Sequence, residues 1–177
     1  MTRRCFVKHS LQLAAGLGLL GPVESYASLT GKPKPISFFH THTGERLKIL
    51  YSRGGCKPSA LSNLNNFLRD FRTGEVHPID PLLLDIIDGI RQKTGSKGGI
   101  EIISGYRSPK TNKVLRAKSG GVARKSLHMK GQALDIRVRD LKTRDLRDLA
   151  LSLRQGGVGY YAKSDFVHID TGRYRYW

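Results

Sequence analysis

The N-terminal segment decides how much of this chain remains to build a folded domain. Paired arginines at Arg3 and Arg4 precede an apolar stretch at residues 11–20, and Ser25-Tyr26-Ala27 follows. The stretch is shorter than the roughly 20 apolar residues that cross a bilayer. Basic, apolar and small residues in this order are typical of a secretory signal peptide, and the paired arginines resemble a twin-arginine export signal. We therefore predict a signal peptide over residues 1–27, a periplasmic protein and no stable membrane insertion after cleavage.

Residues 28–177 then remain for a tether and one domain, which we expect to fold without covalent cross-links. Cys56 is the only cysteine in this part of the sequence, so it has no partner for an internal disulfide or a Cys-x-x-Cys zinc pair. We interpret it as a small buried apolar residue. With 38% hydrophobic residues the chain is not of the intrinsically disordered class.

Charge points to a polyanionic partner. The whole chain carries 31 Lys and Arg against 14 Asp and Glu, a formal net charge of +17. Nucleic acid, acidic lipid and an anionic cell-wall polymer would all suit such a surface. Export to the periplasm favours the cell wall, and we expect no nucleic-acid partner.

Apolar periodicity predicts a single α+β domain behind a tether at residues 28–35. Alternating patterns predict strands at residues 36–40, 47–51, 100–103, 132–138, 157–161 and 166–170. Helical spacing predicts helices at 58–72, 108–118 and 143–154, and one that starts at Asp80-Pro81 and ends before Gly95, with Thr143 as the N-cap of the last helix. Such an order indicates a small, mostly antiparallel sheet flanked by helices.

Two segments combine imidazoles with carboxylates. The first is SLHMKGQALD at residues 126–135, and the second is DFVHID at residues 165–170. His128 and Asp135 can converge with His168 on one cation and leave the fourth position of a zinc site open. His168 and Asp170 are two apart, so on a strand they share a face. Spacing alone leaves two interpretations open, a metal site and a set of structural His and Asp residues.

These segments resemble the M15-type zinc peptidases that act on D-alanyl peptides, which share a hedgehog-like α+β fold. SGYRSPKTN at residues 104–112, GGVGYY at 156–161 and FVHIDTG at 166–172 narrow the resemblance to the exported YcbK-like (MepK) murein endopeptidases. The resemblance runs from the first predicted hairpin to Trp177. It implies a catalytic domain at residues 36–177.

The resemblance also implies the roles of individual residues. His128, Asp135 and His168 match the ligands of one zinc ion. Arg107 matches an arginine that polarises the scissile carbonyl and holds the oxyanion, for which a guanidinium is suited. Ser126 matches a serine that binds the substrate backbone.

The general base departs from the pattern of many relatives. They carry Glu three residues before the second histidine, where this sequence has Asp165. Asp170 is the competing candidate for the base, and its alternative role is to support a ligand imidazole. The sequence leaves the choice between these two aspartates open.

The function implied by the resemblance is zinc-dependent hydrolysis of peptide cross-links in peptidoglycan. The first choice is the link between two meso-diaminopimelate residues, and the second is the D-Ala–meso-diaminopimelate link. The basic loop at residues 116–125 is a candidate for binding carboxylates of stem peptides, and the tail at 173–177 for lining the groove. We expect a monomer. The alternative is a peptidoglycan-binding module of the same fold that does not cleave its ligand. This alternative stays open because Asp165 replaces the glutamate that many relatives carry as the general base.

Overall fold

Residues 33–52 and 57–177, the parts of the chain that this computed structural model describes, form seven strands and four α-helices. The strands are β1 Lys34–His40, β2 Arg46–Tyr51, β3 Ile100–Ser104, β4 Ala133–Val138, β5 Gly157–Tyr161, β6 Phe166–Asp170 and β7 Arg175–Tyr176. The helices are α1 Pro58–Phe67, α2 Leu82–Thr94, α3 Pro109–Lys118 and α4 Thr143–Leu153. The predicted signal peptide, most of the predicted tether and Cys56 lie outside the described residues.

The strands form one sheet in the order β2-β1-β3-β4-β6-β5-β7. The α+β class is confirmed, but the sheet has seven strands, more than predicted, and it is mixed, with four antiparallel and two parallel neighbouring pairs. β1 runs parallel to β3, and β5 runs parallel to β7, whereas the other neighbouring pairs are antiparallel. The connection through α1 and α2 leads from β2 to β3, which lies on the other side of β1. β3 is antiparallel to β2 and therefore parallel to β1.

One face of the sheet is apolar and is covered by α1, α2 and α4. Its central strands contribute side chains that are almost fully buried: Ile36, Phe38, Ile100, Ile102, Leu134, Ile136, Val167 and Ile169. The helices add Leu64, Leu83, Ile87, Ile90 and Leu146. Since side chains alternate along a strand, this packing turns Asp135 and His168 to the opposite face.

Most predicted elements are present within a few residues of their predicted bounds, but α1 is shorter than predicted. The apolar spacing continues to Phe71, yet the helix ends at Phe67. The Leu68 carbonyl accepts a hydrogen bond from Tyr106 N at 2.8 Å, and the Asp70 carboxylate accepts from Arg72 N and Ser108 N. These bonds tie the chain to the loop after β3 and replace further helical turns.

The predicted N-cap of α4 is wrong by one residue. Lys142 occupies the N-cap position, and the Thr143 hydroxyl instead donates to Asp165 Oδ1 at 2.7 Å. The sequence patterns also miss β7, which is two residues long and too short for periodicity to reveal. Among the described residues, no helix is long and apolar enough to span a bilayer.

Candidate metal centre

A row of residues crosses the face of the sheet opposite the helices. Asp135 on β4 lies opposite His168 on β6, and His168 lies opposite Gly159 on β5. Directly opposed residues on antiparallel strands share a face, with their Cβ atoms about 5 Å apart. The pairing of β4 with β6 therefore places the imidazole of His168 beside the carboxylate of Asp135, and no loop is needed to bring them together.

His128 reaches the same place from a short 3₁₀ helix at Leu127–Lys130 that precedes β4. Gly131 ends this turn in the left-handed region, at φ 65°. A β-carbon at Gly131 would lie 2.1 Å from the Pro78 carbonyl oxygen, so the turn requires glycine. The glycine in the sequence motif thus directs His128 back over Asp135.

The three side chains meet in a buried cluster. His128 Nε2 lies 3.2 Å from Asp135 Oδ1, and His168 Nδ1 lies 2.9 Å from the same oxygen. The two ring nitrogens are 3.2 Å apart. All three residues have less than 9% of their surface exposed. They form a group with metal-ligand chemistry in which every pair of donor atoms lies within 4.8 Å.

Outer hydrogen bonds fix the tautomers of both histidines. His128 Nδ1 lies 2.8 Å from the Gly105 carbonyl oxygen, which can only accept, so Nδ1 carries the proton. His168 Nε2 donates in the same way to Asp170 Oδ2 at 3.1 Å. Both remaining nitrogens then direct lone pairs at Asp135. Two imidazoles and one carboxylate at these distances form a donor set that could hold a metal ion, and its composition fits zinc.

The electrostatics of the cluster favour positive charge at its centre. Burial opposes ionisation of Asp135, but the charge and hydrogen bond of His128 and the bond of His168 outweigh it and lower the pKa of Asp135. Burial also opposes charging of His168, yet its bonds to Asp135 and Asp170 raise the pKa of its imidazole.

Asp170 is a buried carboxylate enclosed by donors. Its Oδ1 accepts from the backbone N–H groups of Gly157 at 3.0 Å and Gly172 at 2.8 Å. Arg175 donates to both of its oxygens, at 3.0 and 2.6 Å. Burial raises the pKa of Asp170, but the bonds from His168, Arg175 and the two amides outweigh it and hold that pKa well below its usual range.

Arg107 and Ser126 lie beside the cluster, in the groove above it. Arg107 Nη2 is 3.7 Å from Asp135 Oδ2 and 3.4 Å from Ser104 Oγ. Its backbone N–H donates to the His128 carbonyl at 3.1 Å, which links the SGYRS segment to the 3₁₀ helix that carries His128. Ser126 precedes the 3₁₀ helix and lines the same groove. The structure thus brings both residues to the His128–Asp135–His168 cluster.

Asp165 is not brought to the cluster. Its side chain is 59% exposed and lies 3.2 Å from Arg137 Nη1, while the Thr143 hydroxyl donates to it. It lines a neighbouring basic depression on the surface rather than the groove of the cluster. The two aspartates proposed as the base are therefore in very different surroundings.

Aromatic side chains line the groove beside the cluster. Tyr161 and Phe166 stack with ring centroids 4.5 Å apart, and the Trp177 ring lies 5.2 Å from that of His168. Trp177 Nε1 donates to the Tyr161 hydroxyl at 2.9 Å. The predicted groove-lining tail is thus present, and Lys125 of the basic loop also lines the groove. The alternation of side chains along β5 could have predicted that Tyr161 faces the groove. The position of Arg175 depends on the pairing of β7 with β5, which no local pattern reveals.

An α+β domain with a buried His–Asp–His group on the open face of its sheet belongs to the class of candidate metallohydrolases. Comparison with known families narrows this class. The model of the Peptidase M15_2 family, described as peptidoglycan L,D-endopeptidase MepK, matches residues 28–177, so the chain belongs to this family.

Individual relatives agree with the family assignment. The chain is 43% identical over 167 residues to the peptidoglycan L,D-endopeptidase MepK of Escherichia coli strain K12, covering 93% of this chain and 91% of the relative. The protein of that name in Shigella flexneri matches equally. A probable peptidoglycan L,D-endopeptidase MepK of Haemophilus influenzae is 40% identical, over 93% of this chain and 90% of the relative. No solved structure matches the chain significantly.

Proposed function

We propose that this protein is a zinc-dependent peptidoglycan endopeptidase that hydrolyses peptide cross-links. The observation that carries the proposal is the buried convergence of His128 Nε2, His168 Nδ1 and Asp135 Oδ1, with both ring protons directed outward. The names of its relatives supply the substrate class, and the groove above the cluster is where a peptide would lie.

His128, Asp135 and His168 would hold one zinc ion. Zinc at such a site supplies a Lewis acid and lowers the pKa of a bound water to about 7. Metal-ligating histidines almost always donate their other ring N–H to a carboxylate or a backbone carbonyl. Gly105 and Asp170 fill these two supporting roles here.

Arg107 would stabilise the charge that develops on the scissile carbonyl oxygen. Its side chain is only 11% exposed, and its Nη2 approaches Asp135 from the groove. Its buried Nε has no hydrogen-bond partner among the described residues. A guanidinium with an unused N–H beside the ligands is suited to an oxyanion. Ser126 would bind the backbone of the substrate next to it.

The proton transfers are assigned to Asp165, with Asp170 as the orienting carboxylate. The lone pairs of Asp170 already accept from His168, Arg175 and two backbone amides, which leaves it poorly suited to take a proton. Asp165 is bonded only to surface partners, and it would act after release from Arg137 and Thr143. It would take a proton on a carboxylate oxygen and return it to the leaving amine.

The substrate would be a link to meso-diaminopimelate, first the link between two such residues and second the D-Ala–meso-diaminopimelate link. These peptides carry free carboxylates near the scissile bond, and Lys125 in the groove offers a cation for them. The predicted export signal would deliver the enzyme to the periplasm, where this substrate lies.

The test is digestion of purified cross-linked peptidoglycan by the zinc-loaded full chain, with His128→Ala as control, followed by mass spectrometry of the muropeptides. We expect one class of cross-linked dimer to disappear with wild type and to persist with His128→Ala. Loss of the same dimers with His128→Ala would overturn the proposed site, and the class that disappears identifies the bond.

A second candidate function is a peptidoglycan-binding module that does not cleave. The exposed position of Asp165, away from the groove, favours it. Such a module would sediment with sacculi and bind zinc, yet would leave every dimer class unchanged.

A further inference from the structure

The guanidinium of Arg175 encloses one side of the Asp170 carboxylate. We propose that Arg175 is a positioning residue for the metal centre, which acts through Asp170 on the ring of His168. The inference rests on the proposed function, because it takes His168 as a zinc ligand. Neither the sequence motifs nor the names of the relatives assign a role to this arginine.

The contact between Arg175 and Asp170 has the geometry of a bidentate clamp. Arg175 Nη1 donates to Oδ1 at 3.0 Å and Nη2 donates to Oδ2 at 2.6 Å. The Asp170 side chain is fully buried, whereas that of Arg175 is 33% exposed. A buried carboxylate without its donors would be strongly destabilised, and Arg175 is the cation that joins His168 and two backbone amides in stabilising a charged Asp170.

The clamp extends to His168 through a shared atom. Asp170 Oδ2 accepts from Arg175 Nη2 and also from His168 Nε2 at 3.1 Å. Fixing this oxygen fixes the Nε2–H tautomer and the rotation of the ring. His168 Nδ1 is then directed at Asp135 Oδ1, 2.9 Å away. Arg175 therefore influences the direction of a ligand lone pair without touching the ligand.

The absence of a side chain at Gly157 leaves the space that the Arg175–Asp170 clamp occupies. Gly157 on β5 pairs with Arg175 on β7. A β-carbon at Gly157 would lie 2.4 Å from Arg175 Nη1 and 2.5 Å from Asp170 Oδ2. The short strand β7 thus brings Arg175 to Asp170, at a point where a side chain at position 157 would displace one of the two clamp residues.

A different role for Arg175 would be direct contact with substrate, because it also lines the groove. The two roles differ in what a substitution changes. Loss of a substrate contact raises KM and leaves zinc affinity unchanged. Loss of a positioning contact weakens zinc binding in the absence of any substrate.

The experiment measures the zinc dissociation constant of the full chain by competition with a chromophoric chelator. Arg175→Gln should bind zinc about tenfold more weakly than wild type, the lower end of the loss seen for outer-shell substitutions. Arg173→Gln is the matched control, since it removes the same charge from the same exposed tail without a contact to Asp170. Its zinc affinity should equal that of wild type.

A double variant tests whether Arg175 acts through Asp170. If it does, Asp170→Asn and Asp170→Asn/Arg175→Gln should have the same zinc affinity, because coupled residues are not additive. Additive losses would overturn the inference. Equal zinc affinities of Arg175→Gln, Arg173→Gln and wild type would also overturn it.

If Arg175→Gln fails to fold, Arg175→Lys replaces it in the experiment. A zinc affinity of Arg175→Lys equal to that of wild type then overturns the inference. Absence of zinc binding by wild type would instead overturn the proposed function, and this inference with it.

Discussion

Gly157 and Arg175 lie opposite each other on β5 and β7, and the guanidinium of Arg175 occupies the space that a side chain at Gly157 would need. The same space borders Asp170 Oδ2, the carboxylate oxygen that accepts from His168 Nε2. A small backbone position at the edge of the sheet is therefore connected to the candidate metal centre by two contacts.

This arrangement predicts that Gly157→Ala weakens zinc binding. The added methyl group would displace Arg175 or Asp170, because contacts near 2.4 Å cannot be accommodated. We expect a loss of zinc affinity of about tenfold, as for other outer-shell changes. Chelator competition measures it. Gly120→Ala is the control, since a β-carbon there meets no atom within 4 Å. Equal zinc affinities of the two variants would contradict the role of the clamp.

Arg107→Lys should separate catalysis from metal binding. Lysine keeps the charge but loses the planar fork of donors that suits an oxyanion. Removal of one such donor typically lowers kcat by about 10²–10³-fold. The release of cross-linked dimers should fall by this order while zinc content stays at the wild-type level. Arg139→Lys makes the same change at an exposed position and should leave both unchanged. Unaltered turnover by Arg107→Lys would remove Arg107 from the mechanism.

Asp165→Asn and Asp170→Asn should have different effects. Asp165 bonds to Arg137 and Thr143 and touches no ligand, so Asp165→Asn should keep full zinc affinity and lower kcat about 10²-fold or more, as for loss of a general base. Asp170→Asn should weaken zinc binding, because it disturbs His168. Zinc titration and turnover on the same preparations distinguish the two. Wild-type turnover by Asp165→Asn would show that Asp165 is not the base.

His40, a buried histidine outside the candidate metal centre, predicts the pH dependence of stability. Burial and the nearby charges of His42, Arg69 and Arg72 lower the pKa of His40 from 6.5 to about 4, with Glu45 opposing. Between pH 6.5 and about 4, His40 is protonated in the unfolded chain and neutral in the folded chain. The free energy of unfolding should therefore fall as the pH falls from about 6.5 towards about 4, by about 3 kcal/mol from this residue.

Urea unfolding of the zinc-loaded protein between pH 4 and 7 measures this loss. His40→Gln should flatten the dependence, because its side chain does not titrate. His42→Gln, at an exposed neighbouring ring, should retain most of it. An unchanged pH dependence in His40→Gln would assign the loss to other groups.

The sequence predicted the elements that carry strong periodicity and the motif residues that they position. The alternation in β4 correctly separated Leu134, Ile136 and Val138, which are buried in the core, from Asp135 on the opposite face. The glycine in SLHMKGQALD correctly indicated the turn that directs His128. These features depend on local patterns, which a single sequence contains.

Other features depend on contacts between distant segments and could not be read from local patterns. Helix α1 ends early because Leu68 bonds to Tyr106, a residue far along the chain. Arg175 becomes important only when β7 pairs with β5. Asp165 fits the spacing of a general base, yet its side chain is held by Arg137 and Thr143, which spacing cannot show.

The most direct test of the account is to restore zinc to the metal-stripped full chain while following the release of cross-linked peptidoglycan dimers. We predict that the stripped protein is inactive, that activity rises with added zinc and saturates at one ion per chain, and that His128→Ala neither binds the ion nor gains activity. Full activity of the stripped protein would contradict a metal-dependent mechanism. Saturated zinc binding without any release of peptides would contradict the enzymatic function and would favour the peptidoglycan-binding module.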